Sequence, residues 1–317
     1  MTHKPTNVAA ARAQSPSIDP SRRAPFGAAL EAAWRRTDAF LCIGLDPLPD
    51  RLPEHLLADP QARPGSVELT RAVDQFCRAI IDTTAGLVCA YKPQIAHFAA
   101  LGCEAVLMAL IDYIHASYPG VPVILDAKRG DIGSTAERYA IEAFERYDAD
   151  AVTVNPWLGA EGLKPFLAYA DRGTVVLCRT SNPDSAWLQV DPGGDDHPYL
   201  RIARQAGQWN AAGNVLLVAG ATYPEELGAI RSAAGDDVAL LVPGVGAQGG
   251  DLGAVFRQGA DSRGFGLVVN SSRAILYAGV ASGDRAGEDF AGRARVAAQS
   301  VVDEMRELRR SANFVAP

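Results

Sequence analysis

Residues 121–140 read VPVILDAKRGDIGSTAERYA. The run 121–126 is almost wholly Val, Ile and Leu. It lacks the in–out alternation of a half-exposed antiparallel strand, so it reads as a strand buried on both faces, as parallel strands are. Its apolar character stops abruptly at Asp126, Lys128 and Asp131, and a helical pattern over 132–147 follows directly. Strand, polar edge and helix in this order make one βα unit.

The same unit recurs along the chain. Further strands are expected at 39–45, 87–92, 151–154, 174–178, 215–219, 238–242 and 266–269. Helices are expected at 67–84, 99–118, 163–170, 199–211, 224–233, 251–258 and 288–310. Ser66 is a good N-cap for the first of these. In the second, Leu101, Ala105, Met108 and Ile111 recur every three or four residues. Eight βα units predict an α/β fold, a single-domain (β/α)₈ TIM barrel over 26–317. A doubly wound open sheet fits less well, because no G-x-G-x-x-G follows the first strand. Two connections, 47–65 with its five prolines and 181–198 with Asp-Pro-Gly-Gly-Asp-Asp, are long enough to serve as lids at the catalytic face.

Composition narrows the function. The chain has 317 residues, with 37 acidic against 30 Lys and Arg and a formal net charge of −7. That balance argues against nucleic acid or an anionic membrane as partner. No apolar run approaches the roughly 20 residues of a membrane span. Five cysteines lie in apolar runs without a CxxC pair, which predicts buried, reduced thiols and a cytoplasmic location. Residues 1–25 are rich in Ala, Arg, Ser and Pro. Pro5, Pro16, Pro20 and Pro25 break any amphipathic helix there, so a mobile tail is expected. His3, His55, His97, His115 and His197 show no metal-ligand spacing, and neither metal nor cofactor is expected.

Polar residues at the C-terminal ends of barrel strands are where chemistry is expected. Asp46, Lys92, Asp126 and Lys128 all occupy such ends, and Asp126 and Lys128, two apart, share a face of an extended strand. Asp131 opens the next helix, where a carboxylate suits the dipole. A self-neutralising ion-pair ring at the rim is the bland alternative. Several charges converging where water is excluded are costly without a ligand.

The stretch Asp126-Ala127-Lys128-Arg129-Gly130-Asp131-Ile132 resembles the Asp-x-Lys-x-x-Asp-Ile signature of orotidine 5'-phosphate decarboxylases. Residues 126–140 resemble the longer bacterial branch of that family. Gly44-Leu45-Asp46-Pro47, Tyr91-Lys92-Pro93-Gln94, Val154-Asn155-Pro156, Thr180-Ser181-Asn182-Pro183, 243–248 and Asn270-Ser271-Ser272-Arg273 resemble family segments in the same order. The resemblance implies decarboxylation of orotidine 5'-phosphate to uridine 5'-phosphate in pyrimidine biosynthesis. It assigns Asp46 and Lys92 to ribose hydroxyls and Asp126 to the substrate carboxylate. Lys128 becomes the proton donor. It gives Asp131 and Thr135 to the neighbouring subunit's site, so that a homodimer shares its sites. Ser181 is assigned to the pyrimidine, Gln248 and Arg273 to the phosphate. Gly244, Gly246, Gly249 and Gly250 would let backbone approach that phosphate. Two rivals share parts of the pattern. One is a Mg²⁺-dependent sugar-phosphate decarboxylase or epimerase, disfavoured because Lys92 repels a cation. The other is a non-catalytic phosphate-binding barrel, disfavoured by the intact Asp126, Lys128 and Asp131.

Overall fold

The computed structural model describes residues 24–191, 196–245, 250–281 and 284–312. The tail expected over 1–25 lies almost wholly outside the described residues, as do Gln248, Gly246, Gly249 and the 192–195 part of the second long connection.

All eight expected strands form: β1 Leu41–Leu45, β2 Ala90–Pro93, β3 Ile124–Arg129, β4 Ala151–Val154, β5 Gly173–Arg179, β6 Val215–Ala219, β7 Ala239–Pro243 and β8 Leu267–Ser271. They pair in parallel in the order β2-β1-β8-β7-β6-β5-β4-β3. Single bridges Tyr91↔Val123 and Gln94↔Asp126 join β2 to β3 and bring the sheet round into a barrel. Every residue of β1, β2, β4 and β6 is buried; β1 and β6 are accordingly continuous apolar runs, while Lys92 and Thr153 are the polar residues within β2 and β4.

Around the strands run α2 Val67–Thr84, α3 Ile95–Ala99, α4 Glu104–Ser117, α5 Gly133–Ile141, α6 Ala160–Leu167, α7 Ala186–Gln189, α8 Pro198–Trp209, α9 Pro224–Ala234, α10 Leu252–Gly259, α11 Arg273–Leu276 and α12 Phe290–Ser311. The long α2 begins where expected, with the Ser66 hydroxyl accepting from Leu69 N at 3.3 Å. It buries Leu69, Val73, Phe76, Cys77, Ile80 and Thr84 along one stripe.

Three details depart from the sequence reading. A helix not anticipated, α1 Phe26–Thr37, precedes the barrel and buries Phe26, Leu30, Ala33, Trp34 and Thr37. Its Phe26 ring lies over Gly173 at the start of β5, where an added Cβ would meet the ring at 2.5 Å, so α1 closes the N-terminal end of the barrel. The helix expected over 99–118 is broken at Gly102, which adopts φ 64°. There Leu101 O accepts from Gly65 N at 2.8 Å, so the break seats the end of the first long connection. Finally, α5 runs into a single π turn, Glu142–Arg146.

The connection 47–65 is strapped down. Leu52 and Leu57 are fully buried. The Arg285 guanidinium donates to Leu52 O at 2.8 Å, to Ala58 O at 3.2 Å and to Leu57 O. Tyr277 OH accepts from Leu48 N at 2.8 Å. So much fixed contact does not suit a lid, and the expectation is corrected for this segment. Of the other, 181–198, the described part begins with a 3₁₀ turn, Pro183–Ser185, leading into α7.

Candidate active site

The site is built on alternation. On β2 the Tyr91 side chain points outward, its hydroxyl 2.7 Å from Thr84 Oγ1 and donating to Ile81 O at 3.0 Å, both on α2. The next residue, Lys92, therefore points into the barrel. Its Nζ donates to Asp126 Oδ2 at 2.7 Å, and the residue is only 5% exposed. Lys128 Nζ donates to the other oxygen, Asp126 Oδ1, at 2.6 Å. One carboxylate thus lies between two ammonium groups: Lys92 sealed in the barrel, Lys128 half exposed at its mouth.

Lys128 and Asp126 converge as expected, but not through an extended strand. The β3–β4 register slips between Leu125 and Arg129, and Lys128 takes φ 45°. A lysine in that left-handed region costs roughly 1–2 kcal/mol and needs fixed partners. Thr153 supplies them. Its hydroxyl donates to Asp126 Oδ1 at 2.9 Å and accepts from Ala127 N at 3.0 Å and Lys128 N at 2.8 Å. The sequence reading missed Thr153. The available signal was a lone hydroxyl in the apolar run of β4, level with the strand ends.

Electrostatics follow from this packing. Burial pushes the Asp126 carboxyl up, but Lys92 and Lys128, with their hydrogen bonds, outweigh it and hold the group well below the usual carboxylate range. Burial pushes Lys92 down, yet Asp126 and Asp46 outweigh it and the ammonium ends above its ordinary value. Asp46 sits at the end of β1, and its Oδ1 is buried without a hydrogen-bond partner among the described residues. Asn270 Oδ1 on β8 is in the same position, while its Nδ2 donates to Ser272 Oγ at 3.3 Å. Two orphaned acceptors suit a ligand that brings hydroxyl donors. Asn270 lies in the family-like segment Asn270-Ser271-Ser272-Arg273, where its residue type alone does not mark it as part of the site.

Asp131 lies near the site but stays apart from its charges. It adopts φ 132°, and its Oδ1 accepts from Ile132 N at 2.8 Å rather than capping the first turn of α5. Its carbonyl packs so closely on Gly162 that a Cβ there would clash with it. Asp131 and Lys128 line one cleft of about 380 Å³ with Arg129, Asn155, Trp157 and Leu158, without a direct hydrogen bond or ion pair between them. Thr135 is exposed on α5. Arg129 braces this region by gripping Glu142 of the π turn with two hydrogen bonds, at 2.9 and 3.1 Å, and stacking over Tyr139.

Of the remaining site residues, Ser181 follows β5 and its carbonyl accepts from Thr222 Oγ1 at 3.3 Å. Arg273 is exposed at the start of α11, lining a cleft with Arg51 and Tyr277. Gly244, at φ 100°, and Gly250 close the turn after β7 through a 3.1 Å bond from Gly250 N to Gly244 O. All five cysteines are buried and free. No group of three or more His, Cys, Asp or Glu side chains among the described residues could hold a metal ion. No described helix is long and apolar enough to cross a membrane.

A strand-end Lys-Asp-Lys array at the barrel mouth invites comparison with known barrels. The model of the orotidine 5'-phosphate decarboxylase / HUMPS family matches residues 39–285. The chain belongs to that family. An orotidine 5'-phosphate decarboxylase of Azoarcus sp. (strain BH72) is 54% identical over 285 residues, covering 90% of this chain and 99% of the relative. Another, from Ralstonia pickettii (strain 12J), is 51% identical with the same coverage. The solved structure of Leishmania donovani OMP decarboxylase superposes with a TM-score of 0.74 at 35% identity, over 90% of this chain and 99% of that one. Family membership fits the eight-stranded barrel and the ordered segments from Gly44 to Arg273.

Proposed function

We propose that this enzyme decarboxylates orotidine 5'-phosphate to uridine 5'-phosphate, a step of pyrimidine biosynthesis. The carrying observation is the Asp126 carboxylate held between Lys92 and Lys128 at the mouth of a barrel with this family membership. The C–C bond to the substrate carboxylate breaks, CO₂ leaves, and the electron pair stays on the ring carbon. Lys128, half exposed beside that position, stabilises the developing negative charge and then delivers a proton from Nζ to the carbon. Asp126 repels the substrate carboxylate in the ground state, and neutral CO₂ relieves that repulsion. Asp46 and Lys92 take ribose hydroxyls, which the orphaned Asp46 Oδ1 supports. Ser181 contacts the pyrimidine. Gln248 and Arg273 take the phosphate, Arg273 through two parallel donors.

The active unit on this reading is a homodimer in which Asp131 and Thr135 complete the partner's site. Asp131 lines the Lys128 cleft yet contacts neither of its charges. Beside it, Ile132, Trp157 and Leu158 are 50%, 70% and 52% exposed, an apolar patch of the kind subunit contacts cover. The location is the cytoplasm, where five buried free thiols suit a reducing compartment.

The test is turnover of orotidine 5'-phosphate by protein exhaustively treated with EDTA. Release of CO₂ with formation of uridine 5'-phosphate is expected to persist. Activity lost on chelation and restored by Mg²⁺, or confined to a sugar phosphate, would overturn the reading.

A further inference from the structure

We propose that Arg179 is a positioning residue that sets the loop after β5, and with it Ser181, over the barrel mouth. Arg179 ends β5 and is 2% exposed. Its Nε donates to Glu226 on α9, and its planar guanidinium lies over Tyr223, 3.9 Å from the ring centroid. Its Nη1 donates to three acceptors, all on the one loop: Thr180 O at 3.1 Å, Ser185 Oγ, and Gln189 Oε1 at 3.4 Å. Gln189 passes the connection on. It accepts from Thr180 N at 2.9 Å and donates from Nε2 to Thr180 Oγ1 at 3.0 Å. One planar cation thus joins the start, middle and end of the segment 180–189 to the neighbouring βα unit.

Besides Arg179, the loop is tied by Thr222 Oγ1, which donates to Ser181 O at 3.3 Å, and at its far end by His197 Nδ1, 2.8 Å from Val190 O. The helix α7 within it buries none of its residues, and Trp187 is 72% exposed. A cleft of about 660 Å³ lined by Leu177, Trp187, Leu188, Tyr199 and Ile202 adjoins α7, and Val190 just after it packs against the core. Arg179 needs the loop in turn, because a buried guanidinium requires acceptors for its donors.

A second contact fixes Ser181 itself. Its backbone passes so close to Gly220, at the end of β6, that an added Cβ would stand 2.8 Å from Ser181 Cα and 2.9 Å from its N. Gly220 N donates to Arg179 O at 2.7 Å, so the two anchors are one unit. Gly220 is not in the left-handed region, and alanine there would displace Ser181 without straining its own backbone.

The catalytic consequence rests on the reading of Ser181 as a pyrimidine contact. The experiment therefore has two arms. Arg179→Lys keeps a charge for Glu226 but loses the fork to the loop, Glu226→Gln loosens the fork's other end, and Gly220→Ala pushes Ser181. The first arm is amide hydrogen exchange by mass spectrometry. Exchange in 180–190 is expected to accelerate several-fold while Val215–Ala219 stays at the parent rate. The second arm is kinetics with orotidine 5'-phosphate. KM should rise more than kcat falls, with kcat/KM down on the order of 10–100-fold. Unchanged exchange in 180–190 in folded variants would overturn the anchor, as would an equal acceleration everywhere. A loosened loop with parental kcat/KM would make Arg179 a structural tie and overturn the positioning role. If Arg179→Lys does not fold, Glu226→Gln, which acts on the same guanidinium, decides both arms. A parent protein with no turnover counts against the activity reading, and the exchange arm still decides the anchor.

Discussion

Thr153 shows how one hydroxyl can govern a site made of charges. It anchors a lysine with φ 45° by accepting from two consecutive backbone N–H groups, and it orients the carboxylate that the same lysine grips. Thr153→Val keeps the shape and leaves both N–H groups without that acceptor. We expect a loss of about 1–3 kcal/mol of stability, and a kcat that falls while KM changes less, because Lys128 and Asp126 lose their alignment. Urea denaturation and steady-state kinetics check this, and a variant with parental kcat would show that the turn holds itself. The charges also make a pH prediction. Asp126 has a folded pKa below its ordinary 3.8, so its contribution is present above that value and is lost as pH falls through the lower one. Lys92 is raised above 10.5, so its contribution is present below 10.5 and is lost as pH rises further. The array is at full strength between. Asp126→Asn should be clearly less stable than the parent at neutral pH, and the gap in Tm should narrow below pH 3.8. A gap of constant size down to pH 2 would sink the assignment of that stability to the ionised carboxylate.

At the scale of elements, legibility followed burial. All eight strands were readable because parallel strands buried on both faces leave continuous apolar runs, and residues 151–154 and 215–219 form strands with the expected bounds. Helix ends were blurred wherever tertiary contact decides them, as at Gly102, whose break is seated on Gly65. The helix α1 precedes the strand–helix alternation, so its stripe of Phe26, Leu30 and Trp34 carries no signal in that pattern. Polar residues inside apolar strands, Thr153 and Arg179, went unread because a single strand does not show what its neighbours place opposite them. The strapped connection 47–65 is a related case: five prolines suggest an independent lid, but the strap comes from Arg285, more than 200 residues away. Arg285→Ala removes the donors to three carbonyls while leaving Leu52 and Leu57 to pack. It should cost about 1–3 kcal/mol and speed proteolysis within 47–65. Parental stability together with parental cleavage would show that apolar packing alone secures the segment.

At the scale of the whole molecule, one chain forms a site that is complete in some respects and open in others. Lys92, Asp126, Lys128 and Thr153 are mutually satisfied within a single barrel. Asp131 lines the same cleft with its carboxylate turned to Ile132 N, beside exposed Trp157 and Leu158. A two-fold partner over that patch would bring its own Asp131 to this chain's Lys128 and receive the reciprocal contact, as two-fold symmetry requires. The prediction is complementation. Lys128→Ala and Asp131→Ala proteins should each be inactive alone and should regain activity when mixed under conditions that exchange subunits. In a mixed dimer one site collects both defects and the other collects neither. With equal, random exchange about half the dimers are mixed, so about a quarter of all sites should be intact. If Asp131 serves its own chain, every site in every dimer keeps one defect and mixing restores nothing. Subunit exchange must be verified independently, for instance by mass spectrometry of differently tagged chains. A mixture that exchanges fully and stays inactive rules out the shared site, whereas recovery near one quarter assigns Lys128 and Asp131 of each site to different chains.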